Sequence, residues 1–183
     1  MDESHSSQPP YNHWFPLVRF YWYRVQSVVA GLVDCSHDGV ILDFGCGKEK
    51  ILKKNLSGHT VIGYDVIKEF RDIDDYRKIR PQVIVCSHVL EHLGPAELER
   101  TLEDFIAMGP RYIITAQPTE NNISRLSWFF SGKKELTKKL TLLEHKLTID
   151  KIHSVLAKYF ILQERKNVLT LTVVSKWVLR IRA

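Results

Sequence analysis

The most suggestive pattern in the sequence combines two glycines with two carboxylates. Asp43, Gly45 and Gly47 follow an apolar run at residues 40–42, and Asp65 follows a second apolar run further along the chain. Glycines two positions apart permit a tight turn and let backbone N–H groups approach a ligand closely. A carboxylate at the end of the next strand is placed to accept hydrogen bonds from ribose hydroxyls. The spacing therefore predicts a ligand that contains a nucleoside.

The same residues indicate which class of nucleotide binds. A dinucleotide site requires a third glycine in the pattern Gly-x-Gly-x-x-Gly, and that position holds Lys50. Asp43, two residues before the first glycine, would repel a diphosphate, because charges are poorly screened in a crevice of low dielectric. The carboxylate suits a ligand that has no phosphate and carries cationic ammonium and sulfonium groups. We therefore predict S-adenosylmethionine as the cofactor.

A third segment, residues 87–93, reads Ser-His-Val-Leu-Glu-His-Leu and follows another apolar run. Together with the glycine pattern and Asp65, it resembles the class I S-adenosylmethionine-dependent methyltransferases, in particular the type-11-like group whose fourth strand runs into Val-Leu-Glu-His-Leu. The resemblance is close over residues 40–93. It implies methyl transfer from S-adenosylmethionine on a Rossmann-like fold.

The resemblance also assigns parts of the cofactor to individual residues. Asp43 and the two glycines would surround the methionine part, and Asp65 would bind the ribose. Asp72 and Ile73 stand where the family often has an acidic residue that reaches the adenine amino group. Ser87 and His88 would close the site. The cofactor-binding residues so implied are Asp43, Gly45, Cys46, Gly47, Asp65, Val66, Asp72, Ile73, Ser87 and His88.

Four side chains are candidates for a general base, which contributes roughly 10²–10⁴-fold when the acceptor is a hydroxyl or a protonated amine. They are His88, Glu91, His92 and His145. The resemblance places His88 nearest the methyl group and His145 where acceptor-side residues commonly fall, so these two are the predicted catalytic residues. For Glu91 and His92, a solvated or helix-capping role is the alternative.

Short apolar runs alternate with helical patterns, as expected for an α/β domain. Strands are predicted at residues 40–42, 60–64, 82–86 and 111–116, with two closing strands at 161–164 and 168–174. Helices are predicted over residues 95–108 and 149–160. Strands that are buried on both faces imply a mostly parallel, doubly wound sheet. The closing strands predict an antiparallel edge hairpin, and the resemblance implies seven strands in a single domain.

Segments outside this core receive their own predictions. Residues 1–10 are expected to be a flexible tail and 11–183 the methyltransferase-like domain, in which 11–33 form an aromatic-rich helix. Residues 119–146 are predicted to be a lid insertion. The alternative for the lysine-rich part of that insertion is a solvated amphipathic helix.

The composition supports a globular protein without a stabilising metal or disulfide. Hydrophobic residues make up 44% and charged residues 26% of the chain. The spacing of the three cysteines fits neither a zinc site nor a disulfide framework, and no metal site is predicted. The sequence shows neither an apolar run long enough to span a bilayer nor a signal peptide, so an integral membrane protein is not expected and a cytoplasmic location is.

These patterns predict a methyltransferase that acts on an oxygen or nitrogen of a small-molecule or glycan-like acceptor. Two alternatives remain open. Glu49 replaces the family's third glycine, which raises the possibility of a catalytically silent binding module. A lysine cluster at residues 133–139 and a net charge of +5 leave an RNA methyltransferase as the second alternative. A nucleic-acid partner is the less favoured reading.

Overall fold

The computed structural model describes residues 16–36, 38–119 and 146–180. Helices and strands alternate along the chain, as the sequence predicts. The helices are α1 (Pro16–Gly31), α2 (Ile51–Asn55), α3 (Pro95–Met108) and α4 (Ile149–Tyr159). The strands are β1 (Val40–Phe44), β2 (Thr60–Tyr64), β3 (Val83–Ser87), β4 (Tyr112–Pro118), β5 (Phe160–Val168) and β6 (Thr172–Leu179).

The strands form one sheet in the order β2-β1-β3-β4-β6-β5. Strands β1 to β4 are parallel, whereas β6 is antiparallel to both β4 and β5. The predicted antiparallel edge hairpin is thereby confirmed. Because parallel strands end at the same edge of a sheet, the residues that follow β1, β2 and β3 come together there.

Helices cover both faces of the sheet, which confirms the doubly wound architecture. On one face, α1 and α2 bury Val25, Val29 and Leu52 against the sheet. On the other face, α3 and α4 bury a separate apolar cluster that includes Phe105 and Leu156. Two cores, one on each face, make the sheet the middle layer of the domain.

Helix α3 shows how closely local sequence sets an element. Pro95 occupies its first turn, where a missing N–H costs nothing. Gly109 ends the helix with φ 70°, and its N–H donates to the carbonyls of Ile106 and Phe105. The predicted bounds of this helix are confirmed.

The prediction of seven strands is wrong for the part of the chain that the structure describes, which contains six. Residues 65–82, all of them described, connect β2 directly to β3 with only a single 3-10 turn at Tyr76–Lys78. This connection is too short for a further strand and two crossovers, since each parallel crossover needs a dozen or more residues. The backbone N–H of Asp72 donates to the carbonyl of Gly63 instead, so a loop covers the outer edge of β2.

The closing hairpin also differs from the expectation. The sequence predicts a strand at residues 168–174, but the chain reverses at Leu169 and Thr170, whose φ angles are 49° and 58°. The Leu171 N–H then donates to the Val168 carbonyl and closes the turn. Positive φ angles normally favour glycine or asparagine. Because these two positions hold leucine and threonine instead, the sequence does not predict this turn.

Several sequence-based predictions fall partly or wholly outside the described residues. The tail at 1–10, the start of the aromatic helix at 11–15, and residues 120–145 of the expected lid lie there. The described end of the helix, α1, confirms helical structure from residue 16 onwards. Among the described helices, none combines the length and the hydropathy that crossing a bilayer requires.

Candidate functional site

The glycine loop after β1 has the backbone geometry that its sequence requires. Gly45 and Gly47 have φ angles of 81° and 61°, which L-residues with side chains rarely adopt. The N–H groups of Gly45 and Cys46 both donate to the Tyr64 carbonyl at 2.7 and 3.1 Å. A Cβ atom on Gly45 would lie 2.1 Å from Val89 Cγ2. The loop therefore packs tightly between the ends of β2 and β3.

Asp43 carries a buried carboxylate at the end of β1. Its side chain lies in β1 with 5% exposure. No hydrogen bond reaches the carboxylate from any residue that the structure describes. Burial, together with the nearby charges of Asp65 and Asp72, raises the pKa of Asp43 to about 7. A buried acid among other acids is unfavourable in isolation, and a cationic ligand would relieve it.

The raised pKa of Asp43 makes a prediction about folding stability. Its pKa of about 7 in the folded state lies above its unfolded value of about 3.9. The folded state therefore holds the extra proton between these pH values, and the free energy of unfolding falls as pH rises. Lowering the pH from 7.5 to 5.5 should stabilise the wild type by about 2 kcal/mol relative to Asp43→Asn. Urea unfolding of both proteins at both pH values measures this difference, and equal pH responses would contradict it.

Asp65 joins the glycine loop to the end of β2. Its Oδ2 accepts from the Gly47 N–H at 3.0 Å and its Oδ1 accepts from the Ile67 N–H at 3.0 Å. Beside it lies a cleft of about 200 Å³. The cleft is lined by Phe44, Gly45, Tyr64, Asp65, Val66, His88, Val89 and His92. The structure thus brings Gly45, Asp65, Val66 and His88, all predicted cofactor residues, to one cleft.

Asp72 takes a different position from those four residues. Its carboxylate accepts hydrogen bonds from Lys50, from Lys53 at 3.2 Å and from the Gly63 N–H at 2.9 Å. Burial opposes ionisation, but these hydrogen bonds outweigh it and lower the pKa of Asp72 to about 2. The side chain is therefore ionised at the outer edge of β2 and does not line the cleft. Its contact with adenine, and that of the neighbouring Ile73, stay predictions.

Cys46 contributes its backbone to the glycine loop and turns its side chain away from the cleft. The Sγ atom donates to the Phe70 carbonyl at 3.3 Å. Burial and the charge of Asp43 raise the pKa of the Cys46 thiol to about 12. A protonated, hydrogen-bonded thiol is a packing group, as is the fully buried Cys86.

Ser87 and His88 link the cleft to helix α1. Ser87 Oγ accepts from Gln26 Nε2 at 3.2 Å. His88 adopts φ 56°, and its ring packs edge-on against Trp22 with 4.7 Å between ring centroids. Because His88 also lines the cleft, it stands between the predicted cofactor region and a polar region beneath α1.

A family profile described as a methyltransferase domain matches residues 18–128, more than half of the chain. The chain belongs to this methyltransferase family. The resemblance derived from the sequence is thereby confirmed. Comparison with curated protein sequences gives no match.

Solved structures agree on the fold of the methyltransferase domain. The PH0226 protein from Pyrococcus horikoshii OT3 is 12% identical, with a TM-score of 0.69 over 98% of this chain and 100% of the other. Magnesium protoporphyrin IX methyltransferase from Synechocystis PCC 6803, crystallised with bound SAM, is 14% identical, with a TM-score of 0.62 over 89% of this chain and 82% of the other. The small RNA methyltransferase HEN1 is 16% identical, with a TM-score of 0.59, and this chain covers 25% of it.

Sequence reasoning missed several groups around His88 in this methyltransferase domain. Trp22 and Gln26 of α1 and Thr172 of β6 are far from His88 in sequence and meet it only through the fold. The aromatic richness of α1 was a signal, although it did not specify which rings face the site. His145, the second predicted catalytic residue, lies outside the described residues.

Proposed function

We propose that this methyltransferase domain binds S-adenosylmethionine and transfers its methyl group to an oxygen or nitrogen of a small-molecule or glycan-like acceptor. The observation that carries the proposal is the buried carboxylate of Asp43 beside the glycine loop, which has no hydrogen-bond partner among the described residues. Its negative charge fits a cation and opposes a diphosphate. S-adenosylmethionine supplies, when bound, a methyl group on a cationic sulfur.

The residues around the cleft fit the rest of that ligand. Asp65 stands at the cleft, and its carboxylate oxygens can accept from ribose hydroxyls in addition to the backbone N–H groups that they already bind. Val66 is 82% exposed at the same cleft. An exposed apolar side chain there would become buried against an adenine or a ribose, which favours binding.

The region next to His88 supports an enclosed acceptor. Trp22 packs on the His88 ring, and Gln26, itself buried, keeps one amide atom without a hydrogen bond. Buried polar groups without partners are rare and mark places where a ligand can supply the missing bond. Covering by α1 limits the size of what reaches His88, which favours a small-molecule or a single sugar over a folded polymer.

A silent binding module and an RNA methyltransferase are the two alternatives to this function. Glu49, in the position of the family's third glycine, forms an ion pair with Lys54 at 3.6 Å and motivates the silent binding module. Similarity to HEN1 motivates RNA as acceptor. RNA binding would have to weaken steeply between 50 and 200 mM salt; filter binding that is absent or independent of salt removes this alternative.

Isothermal titration calorimetry with S-adenosylmethionine tests the proposed function, with Asp65→Ala as the key variant. The wild type should bind S-adenosylmethionine and not NADH, because NADH carries a diphosphate. Asp65→Ala should weaken S-adenosylmethionine binding by about 1–3 kcal/mol, since ribose hydroxyls would lose a charged acceptor. The variant also frees the Gly47 N–H, so circular dichroism must show that the fold is retained.

Asp74→Ala is the matched control for this experiment. Asp74 lies in the same loop region, is 82% exposed and pairs with Arg71 on the surface. Its removal should leave cofactor affinity unchanged, because exposed ion pairs contribute little. A wild type that fails to bind at millimolar S-adenosylmethionine would leave only the silent module, and equal affinities of wild type and Asp65→Ala would remove Asp65 from the site.

A further inference from the structure

Glu91 is a second buried carboxylate, although no sequence pattern indicates its burial. Its side chain is 2% exposed, and neither oxygen has a hydrogen-bond partner in the described part of the chain. Its Oε1 lies 3.5 Å from His88 Nδ1. The Glu91 backbone carbonyl accepts from the N–H groups of Lys146 and Leu147, which fixes the 3-10 turn at Leu90–His92 against the segment before α4. Among the described residues, the imidazole of His88 is the ionisable side chain that lies within ion-pair distance of this buried carboxylate.

The other nitrogen of His88 faces a chain of hydroxyl groups. His88 Nε2 lies 3.5 Å from Thr172 Oγ1, and Thr172 Oγ1 is hydrogen-bonded to the Tyr21 hydroxyl. Burial raises the pKa of Tyr21, so its phenol keeps its proton. A continuous row of polar side chains therefore leads from α1 to the interior through Tyr21, Thr172, His88 and Glu91.

The chemistry of its end groups gives this row a direction. A carboxylate oxygen 3.5 Å from Nδ1 is placed to accept its proton, so Glu91 favours the tautomer of His88 that carries the proton on Nδ1. Nε2 is then left with its lone pair, 3.5 Å from Thr172 Oγ1. The Thr172 hydroxyl can donate to Tyr21 instead, so an acceptor that donates to Nε2 replaces only this long contact.

We propose that Glu91 is a positioning residue that holds a proton on His88 Nδ1, so that Nε2 is the base for an acceptor that carries an O–H or N–H proton. This inference rests on the proposed methyl transfer. The acceptor's O–H or N–H bond breaks and its proton bonds to Nε2. The freed electron pair forms the bond to the methyl carbon, and the carbon–sulfur bond breaks with its pair on sulfur. An acceptor that is already deprotonated would need no such arrangement.

The tautomer of His88 tests the inference without cofactor or acceptor. Ring ¹⁵N chemical shifts of histidine-labelled protein at pH 8 distinguish the two neutral tautomers from each other and from the imidazolium, and His88→Asn assigns the signal among the eight histidines. The wild type should hold the proton on Nδ1. In Glu91→Met, an unbranched apolar replacement, the fraction protonated on Nδ1 should fall at least about two-fold, because the fixed acceptor is gone. Glu91→Asp should restore it in part.

Two further variants separate this role from simple packing. Thr172→Val should keep the Nδ1 proton, since Glu91 rather than Thr172 sets the tautomer. Glu97→Gln, which retains the side-chain acceptor for the Gly94 N–H at the start of α3, should change nothing. Glu91→Met should melt no lower than the wild type, because removing a buried carboxylate offsets the loss of its contact with His88.

An unchanged tautomer in both Glu91 variants, or an equal loss in Thr172→Val, would overturn the inference. Because these spectra are recorded without S-adenosylmethionine, such a result leaves the proposed function standing. If the tautomer shifts as expected but S-adenosylmethionine does not bind, the proposed function is contradicted and the arrangement of Glu91 and His88 stands.

Discussion

Asp43→Asn should weaken S-adenosylmethionine binding about 30- to 1000-fold, or roughly 2–4 kcal/mol. The substitution keeps the shape of the side chain and removes the negative charge that would face the cationic ligand. Asp43 is 5% exposed and makes no ion pair with a described residue, so solvent screens the lost charge only weakly. Calorimetry at pH 7.5 measures the affinity of both proteins.

Glu49→Gln is the matched control for the Asp43 variant. It removes the same charge from the same loop, but Glu49 pairs with Lys54 on the surface. Its affinity should stay within about three-fold of the wild type, because surface charges are screened. Affinity of the wild type should also rise with pH through 7, since the cation binds the ionised form of Asp43, whose pKa is about 7. A pH-independent wild type, or equal losses in both variants, would contradict a specific role for Asp43.

The cleft itself could be predicted from the sequence because strand ends obey a simple rule. Buried apolar runs specify β1, β2 and β3, and parallel strands carry their carboxyl ends to one edge. Asp65 and His88 therefore meet in space although 22 intervening residues separate them in the chain. The position of a side chain that directly follows a strand is set by that strand.

Asp72 shows where this rule stops. Asp72 does not directly follow a strand, so the position of its carboxylate depends on which side chains bind it. Lys50 and Lys53 bind it at the edge of β2, and Lys50 has a left-handed backbone with φ 48°, which its residue type does not indicate. Sequence spacing alone cannot predict such a pairing.

The burial of Glu91 could not be predicted from the sequence for a related reason. A glutamate at the start of a helical segment is normally solvated, and the sequence contains no signal of its burial. The segment before α4 covers it through two backbone hydrogen bonds from residues more than fifty positions away. Thr172 and Trp22 also contact His88 only through the fold, so the surroundings of His88 arise from tertiary contacts rather than from motifs.

Gly45→Ala is expected to destabilise the fold by about 2–5 kcal/mol. A residue with a side chain at φ 81° costs about 1–2 kcal/mol. The new methyl group would also lie 2.1 Å from Val89 Cγ2, and relieving such an overlap in a packed site costs about 1–3 kcal/mol. Urea unfolding measures the loss, and cofactor affinity should fall with it because the loop backbone must shift.

Gly47→Ala and a double variant separate the two causes. Gly47 has a φ of 61° but open space around it, so its alanine variant bears only the backbone cost of about 1–2 kcal/mol. Val89→Ala removes the methyl groups that oppose a side chain at position 45. The double variant Gly45→Ala/Val89→Ala should therefore be more stable than the sum of its single changes implies, by about 1–3 kcal/mol. Equal destabilisation by the two glycine substitutions, with no coupling to Val89, would show that Val89 does not restrict position 45, and that the glycine serves backbone geometry alone.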